Sequence, residues 1–431
     1  MRRSRVVVGA ILVQLCLGAI YAWSVFTPAL RDAGWSKAQT QVVFSVGLAT
    51  FAGMMVFAGR RLKTWGPQRL AMMGGLTLGA GYVLASLGGG SNFWIVLLGV
   101  GLVGGAGIGL AYVVPIAVGM RWFPDRKGFI TGAAVAGFGF GALGWVKVAG
   151  EWGHLIENRG LGFTFFVYGI AFAALVLAGS LWMRMPPDGW SPAGFTPAEA
   201  AAGTGGENFT AREMLRTPQF HLISFTFAVS AGAGLMSIGL MKLYPIEALG
   251  ANGIDEARAS AIAGTAMAVF FSLANGMGRL VWGVLSDELG RKRSVILMAA
   301  SQGILLLAFT SMAGAELSLY VGAALIGFNF GGNFALFPAL TADEFGDSAV
   351  GNNYPWVFLS YGFGGIVFPI LGGWLGDLGN FPLAFTICGV GCLIGAVASF
   401  FVFPPHKDEA TQPFSVHGFL HNAHLFEDVN S

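Results

Sequence analysis

The chain is written in long apolar runs. Twelve of them, at residues 6–29, 42–58, 70–88, 93–120, 129–146, 161–183, 219–241, 259–285, 294–314, 317–340, 354–376 and 381–404, follow one another with polar breaks between. A hydrocarbon core of about 30 Å takes roughly 17 to 25 helical residues to cross, and a chain inside lipid must satisfy its backbone N–H and C=O groups internally. Runs of this length and number predict an all-α membrane protein with twelve transmembrane helices. Composition points the same way, since 55% of the 431 residues are hydrophobic and 11% are charged, against about 25% charged in ordinary soluble domains. The opening MRRSRVVVGAILVQL resembles the basic and apolar regions of a signal peptide. Its apolar run continues to Ala29 without a small-residue cleavage site, so it reads as a first membrane helix that is kept. Cys16, Cys388 and Cys392 fall inside apolar runs with no CxxC pair, so they read as packing residues and no metal site is expected.

Charge placement predicts orientation. Of the 24 Lys and Arg, 17 lie on the side shared by both termini, 6 on the opposite side, and Arg279 alone falls inside a run. The positive-inside rule then puts both termini in the cytoplasm of a multi-pass cell-membrane protein. The longest polar stretch divides the chain into a six-helix bundle (1–183), a cytoplasmic linker (184–217), a second six-helix bundle (218–404) and a cytoplasmic tail (405–431). In a cytoplasmic linker, the sequon Asn208-Phe209-Thr210 is a chance match. The tail's His417, His421 and His424 read as a polar end rather than a metal site.

The two halves repeat. GRRLKTWGPQR at 59–69 and GVLSDELGRKR at 283–293 place glycines seven apart and an arginine three further on, and Gly109, Pro115 and Gly128 recur as Gly332, Pro338 and Gly351. Parallel six-helix repeats resemble the major facilitator fold, with the substrate site between the halves near the midplane. The two repeated loops read as cytoplasmic latches between states, with Asp287 available to a basic residue or a helix end; the first loop, which lacks the acid, reads equally as topogenic charge. Gly101, Gly105 and Gly109 form overlapping GxxxG motifs suited to close helix packing in lipid. They do not follow a strand, so nucleotide binding is not expected, and nothing points to a nucleic-acid partner.

Arg279 carries the functional signal. Ser272, Asn275 and Arg279 fall at i, i+3 and i+7 on one stripe of the eighth run. A charge at the bilayer centre costs about 2.5–3.5 kcal/mol on insertion scales and usually marks a substrate or ion path. Two readings stay open: the side chain snorkels six residues down to Leu285 and the surface, or it lines a polar cavity with Asn275. The scaffold itself does not require a cation, because the repeat maps Arg279 onto Met55 and Asn275 onto Phe51. No Asp or Glu lies within the twelve runs, and the nearby Glu151, four residues after Lys147, reads as a helix-end anchor. A guanidinium without an internal counter-charge suits an anionic ligand, which it can grip bidentately. Tyr21, Tyr112, Phe330, Phe334 and Tyr361 read either as core packing or as walls of that site; the two phenols Tyr112 and Tyr361 favour the second reading, because a buried hydroxyl needs a partner. With no nucleophile-base pair, metal cluster or paired carboxylate in the runs, an enzyme is not expected, nor a cofactor.

Several stretches resemble a known family. YAWSVF (21–26), RWFPDRKG (121–128), AVAGFGFGA (134–142), PPDGW (186–190), REMLRTPQF (212–220) and NGMGRLVWGVLSD (275–287) look like the oxalate:formate antiporters and their monocarboxylate transporter relatives. The resemblance implies that Arg279 binds a substrate carboxylate and that Tyr21, Tyr112, Phe330 and Phe334 line the site. Oxalate exchangers carry a lysine in helix 11; here the text is LSYG, with Tyr361 in that place. That disfavours a dianion. Proton-coupled relatives carry an aspartate where Asn275 stands, so proton coupling would fall to another group such as Glu151 or His154. The expected function is secondary active transport of a small monocarboxylate (lactate, pyruvate or formate) across the bilayer, with a proton or a counter-anion as the second partner. An oxalate-type anion exchanger and a non-transporting carboxylate sensor are the rivals.

Overall fold

Helix ends fall where local chemistry stops them. The computed structural model describes residues 3–123, 127–150, 153–187, 190, 208–346 and 350–405. Among them are twelve long helices: α1 (Arg3–Val25), α2 (Lys37–Trp65), α3 (Pro67–Ser86), α4 (Phe93–Trp122), α5 (Lys127–Ala149), α6 (Leu155–Ser180), α7 (Pro218–Leu240), α8 (Glu256–Leu289), α9 (Arg291–Met312), α10 (Glu316–Phe345), α11 (Val350–Asp377) and α12 (Phe381–Phe400). Eleven of these segments are long and apolar enough to cross a membrane. The remaining one, α3, is diluted by Gly74, Gly75, Gly79 and Gly81. Those glycines serve packing: a Cβ on Gly79 would sit 2.6 Å from the Gly169 carbonyl of α6, and one on Gly81 2.4 Å from the Gly99 carbonyl of α4.

The repeat seen in the letters has a structural counterpart. Gly66 ends α2 at φ 79°, ψ 152°, and Gly290 ends α8 at φ 86°, ψ 149°. Both positions need a backbone that only glycine adopts without strain. Pro115 lies inside α4 and Pro338 inside α10. The GxxxG face of α4 packs on α2, where Cβ atoms on Gly105 and Gly109 would each meet a carbonyl, of Gly47 and Phe51, at 2.5 Å.

Two boundaries depart from the sequence reading. The first run does not continue to Ala29 as one helix; α1 tightens to a 3-10 turn over Gly18–Val25, and Thr27–Asp32 forms a separate short helix started by its proline. At the other extreme, α10 runs past 340 to Phe345 and carries Asp343 and Glu344. Glu344 is buried, with one carboxylate oxygen lacking a partner among the described residues, so the membrane helices are less free of acid than their apolar cores suggest. In the second repeated loop the acid meets a basic residue, and the partners lie in one half. Asp287 pairs with Arg291, which reaches Asp343 at 3.7 Å, all within the second six helices. In the first loop Arg60 crosses to the second half, stacking over Trp356 at 5.2 Å.

α1–α6 and α7–α12 meet along two seams, α2 against α11 and α5 against α8. On the second, a Cβ at Gly139 would lie 2.9 Å from the Cα of Gly276. Backbone contact this close lets dispersion act between helices in lipid, where the hydrophobic drive is absent. The described parts of the linker are fastened to the bundles: the Phe209 N–H donates to the Phe345 carbonyl at 3.0 Å, and the Trp122 indole N–H donates to the Arg184 carbonyl at 2.7 Å.

Within the second half, a Cβ on Gly278 would fall 2.0 Å from the Phe328 carbonyl of α10, while Gly53 on α2 has nothing within 4 Å. Gly278→Ala is therefore expected to force α8 and α10 apart at an overpacking cost of about 1–3 kcal/mol. The check is thermal unfolding in detergent: Gly278→Ala should lower the midpoint and Gly53→Ala should not, and equal midpoints would refute the close approach.

Candidate functional site

The site is built on α8, at the seam between halves. Residues 266–271 wind as a π-type turn and Ser272–Leu289 resume the α-helix. Such turns inside a helix are frequent at functional sites because they re-aim the side chains that follow. The Ser272 hydroxyl bonds back to the Met267 carbonyl at 2.9 Å, which spends it on the backbone. Asn275 and Arg279 follow, 1% and 0% exposed.

Arg279 does not snorkel. Its Nη1 donates to the Val135 carbonyl of α5 at 3.0 Å and its Nε to Asn275 Oδ1 at 3.3 Å. The approach to α5 depends on Gly139, where a Cβ would stand 3.2 Å from Nε. The guanidinium carbon lies 4.1 Å from the centre of the Phe334 ring and 5.5 Å from that of Phe138. Cation–π contact in a desolvated place is worth about 2 kcal/mol, and hydrogen bonds to a charged group about 1.5–3 kcal/mol each. Nη2 is buried without a hydrogen-bond partner among the described residues. A guanidinium has five N–H donors, so the site leaves it under-satisfied on the side of that nitrogen.

All seven predicted residues come together here. The phenols of Tyr21 and Tyr112 approach the guanidinium. Tyr21 packs edge-on against Phe330 with ring centres 5.4 Å apart, Phe330 against Phe334 at 5.2 Å, and Phe334 against Tyr361 at 5.5 Å. Tyr21 and Tyr361 share a hydrogen bond between their hydroxyls, 3.1 Å long, from α1 to α11. Every one of these rings is buried.

Further rings join the cluster, among them three that touch its tyrosines closely. Phe138 lies 4.9 Å from Tyr21 and 5.3 Å from Tyr112, Phe51 lies 4.9 Å from Tyr112 and 5.7 Å from Tyr361, and Phe358 lies 4.7 Å from Tyr361. The repeat offset pointed at Phe51, since it is the counterpart of Asn275. Phe358 stands one turn before Tyr361, and Phe138 lies within AVAGFGFGA.

Of the two groups named for proton coupling, His154 is the one whose position is described. Glu151 lies outside the described residues. His154 sits exposed before α6 and faces Glu157 at 3.0 Å, away from Arg279.

One buried cation and one buried amide thus lie among packed rings where the two six-helix halves meet, a chemistry that suits an anion. Among known proteins, the oxalate:formate antiporter of Oxalobacter formigenes is 25% identical over 403 residues, covering 92% of this chain and 90% of that one. The apicoplast pyruvate carrier 1 of Toxoplasma gondii is 27% identical, with 82% and 80% covered. A crystal structure of a variant of the Escherichia coli fucose:proton symporter superposes with a TM-score of 0.63 at 16% identity, over 93% of this chain and 100% of that chain, a likeness of fold. The family model described as Major Facilitator Superfamily matches residues 7–271 and 249–425. Matched through both of its halves, the chain belongs to the Major Facilitator Superfamily, a group of membrane transporters and not of enzymes.

Proposed function

We propose that this protein carries small monocarboxylates such as lactate, pyruvate or formate by alternating access, with both termini in the cytoplasm. The observation that carries the reading is Arg279: a buried cation at the seam, held by a backbone carbonyl and an amide, with Nη2 unpartnered among the described residues. A carboxylate would take the free side of the guanidinium in two parallel N–H···O bonds. Tyr21 and Tyr112 add hydroxyl donors beside it, and the phenylalanine rings supply walls that exclude water and limit size. The names of the oxalate:formate antiporter and the pyruvate carrier, relatives across most of the chain, agree with a small organic anion.

Charge matching argues for a monoanion. Tyr361 is buried and offers a phenol where a second cation would be needed for a dianion. Coupling to an inward proton gradient is the working form of the proposal. Anion exchange is the second reading, favoured by one observation: the group bonded to Arg279 Nε is the amide of Asn275, which cannot carry a proton.

Uptake of radiolabelled L-lactate into proteoliposomes under an inward proton gradient tests the reading. Arg279→Lys keeps the charge but loses the planar fork, and uptake is expected to fall at least tenfold, about 1.4 kcal/mol. Gradient-driven uptake at the wild-type level in that variant would sink the carboxylate clamp. Uptake that occurs only when a second anion is preloaded inside would assign exchange.

Tyr361→Lys tests the charge argument separately. The added ammonium should strengthen competition by cold oxalate by roughly tenfold, in line with about 1.5–3 kcal/mol for a charged hydrogen bond, and weaken lactate uptake. Strong competition by oxalate in the wild type already would refute the monoanion assignment while leaving Arg279 in place.

A further inference from the structure

α2 begins on the face opposite the start of α1, and its first turn is completed by the other half of the molecule. The start of a helix leaves four N–H groups without intrahelical partners. Two are met locally: Ser36 Oγ accepts from the Gln39 N–H at 3.0 Å, and the Gln39 side chain accepts from the Ser36 N–H at 2.8 Å. The other two, on Lys37 and Ala38, donate to Asp377 at the end of α11, to Oδ1 at 3.1 Å and Oδ2 at 3.0 Å. One carboxylate from the second half thus caps a 29-residue helix of the first, at the end where its dipole is positive.

The surroundings repeat the crossing. The Lys37 ammonium pairs with Glu247, on the short helix Leu243–Ala251 that follows α7, and donates to the Gly376 carbonyl at 3.2 Å. It also lies 4.7 Å from the centre of the Phe381 ring of α12. Four residues on, Gln41 donates to the Gly239 carbonyl of α7 at 3.2 Å. Gly373 lets α11 close in, since a Cβ there would stand 3.1 Å from the Cα of Ala38. Each donor belongs to the first half and each acceptor to the second, so opening this face breaks all of them together.

We propose that Asp377 is a cross-bundle helix cap that holds this face shut, and that its two bonds set how often the Arg279 chamber opens toward that side. The device rests on movement between the halves and not on which anion is carried, so it stands or falls separately from the monocarboxylate reading. Both groups are near water, which replaces the lost bonds once the face opens. The expected bias is therefore modest, about tenfold in the open population.

The test uses Ser45→Cys, a near-isosteric change at a buried position two turns into α2 from Lys37. Cys16, Cys388 and Cys392 are buried, and the parent without Ser45→Cys gives their background. A charged, membrane-impermeant methanethiosulfonate is applied from the face opposite the start of α1. Asp377→Ala should raise the labelling rate of Cys at 45 about tenfold, with a monodisperse size-exclusion profile, and Asp377→Glu should raise it less. An unchanged rate in a monodisperse Asp377→Ala protein overturns the proposal. Should Asp377→Ala not fold, the pair Ala38→Cys with Asp377→Cys decides. Cross-linking by a short reducible bis-thiol reagent should stop transport and reduction restore it, and transport that continues through the cross-link overturns the cap.

Discussion

The structure depends on burying one guanidinium that meets no carboxylate among the described residues. Removing a charge from water costs several kcal/mol even after relaxation, and Arg279 is 0% exposed. What compensates it comes from both sides of the seam: the Val135 carbonyl from α5, the Asn275 amide from its own helix, and the Phe334 face from α10. Reaching the Val135 carbonyl requires α5 and α8 to touch backbone to backbone, which Gly139 and Gly276 permit. The charge and the seam are therefore one construction. Any rocking of α5 against α8 alters the bond that Arg279 makes across the seam.

The chamber around it is closed mostly by rings, and ring contacts suit a contact that must reopen. An aromatic pair contributes about 0.5–1.5 kcal/mol beyond burial, enough to order the side chains and not enough to fix the halves. Tyr21 against Phe330 and Phe51 against Phe358 cross from one half to the other. The bond between the Tyr21 and Tyr361 hydroxyls does the same with a polar group. Each phenol also has a second role available, since a hydroxyl can donate to an anion once its partner withdraws.

The spans and the charged stripe were legible in the letters because the bilayer makes both expensive to disguise. A helix must cover the hydrocarbon with apolar residues, and a lone arginine within such a run stands out. Whether Arg279 snorkelled or turned inward was not legible: six residues separate it from Leu285, and the deciding partner, a backbone carbonyl on α5, has no signature in sequence. The ring cluster was only half legible for a different reason. With 37 phenylalanines in the chain, a single Phe gives no contrast, so Phe138 and Phe358 passed as packing. Phe51 was within reach, because the repeat offset had already paired it with Asn275. The extent of α10 was missed because Asp343 and Glu344 resemble a loop, although a helix end held against Arg291 accommodates them.

The asymmetry of the repeat gives the chamber its direction. All four counterpart positions are buried, yet the first half places Phe51 and Met55 there and the second places Asn275 and Arg279. The second half supplies the charge, the first supplies a carbonyl, and both supply rings. When α5 withdraws, Nη1 loses the Val135 carbonyl and the cation is left with fewer bonds than in the closed chamber. Water admitted at the open seam, or an anion, can then take the place of that carbonyl.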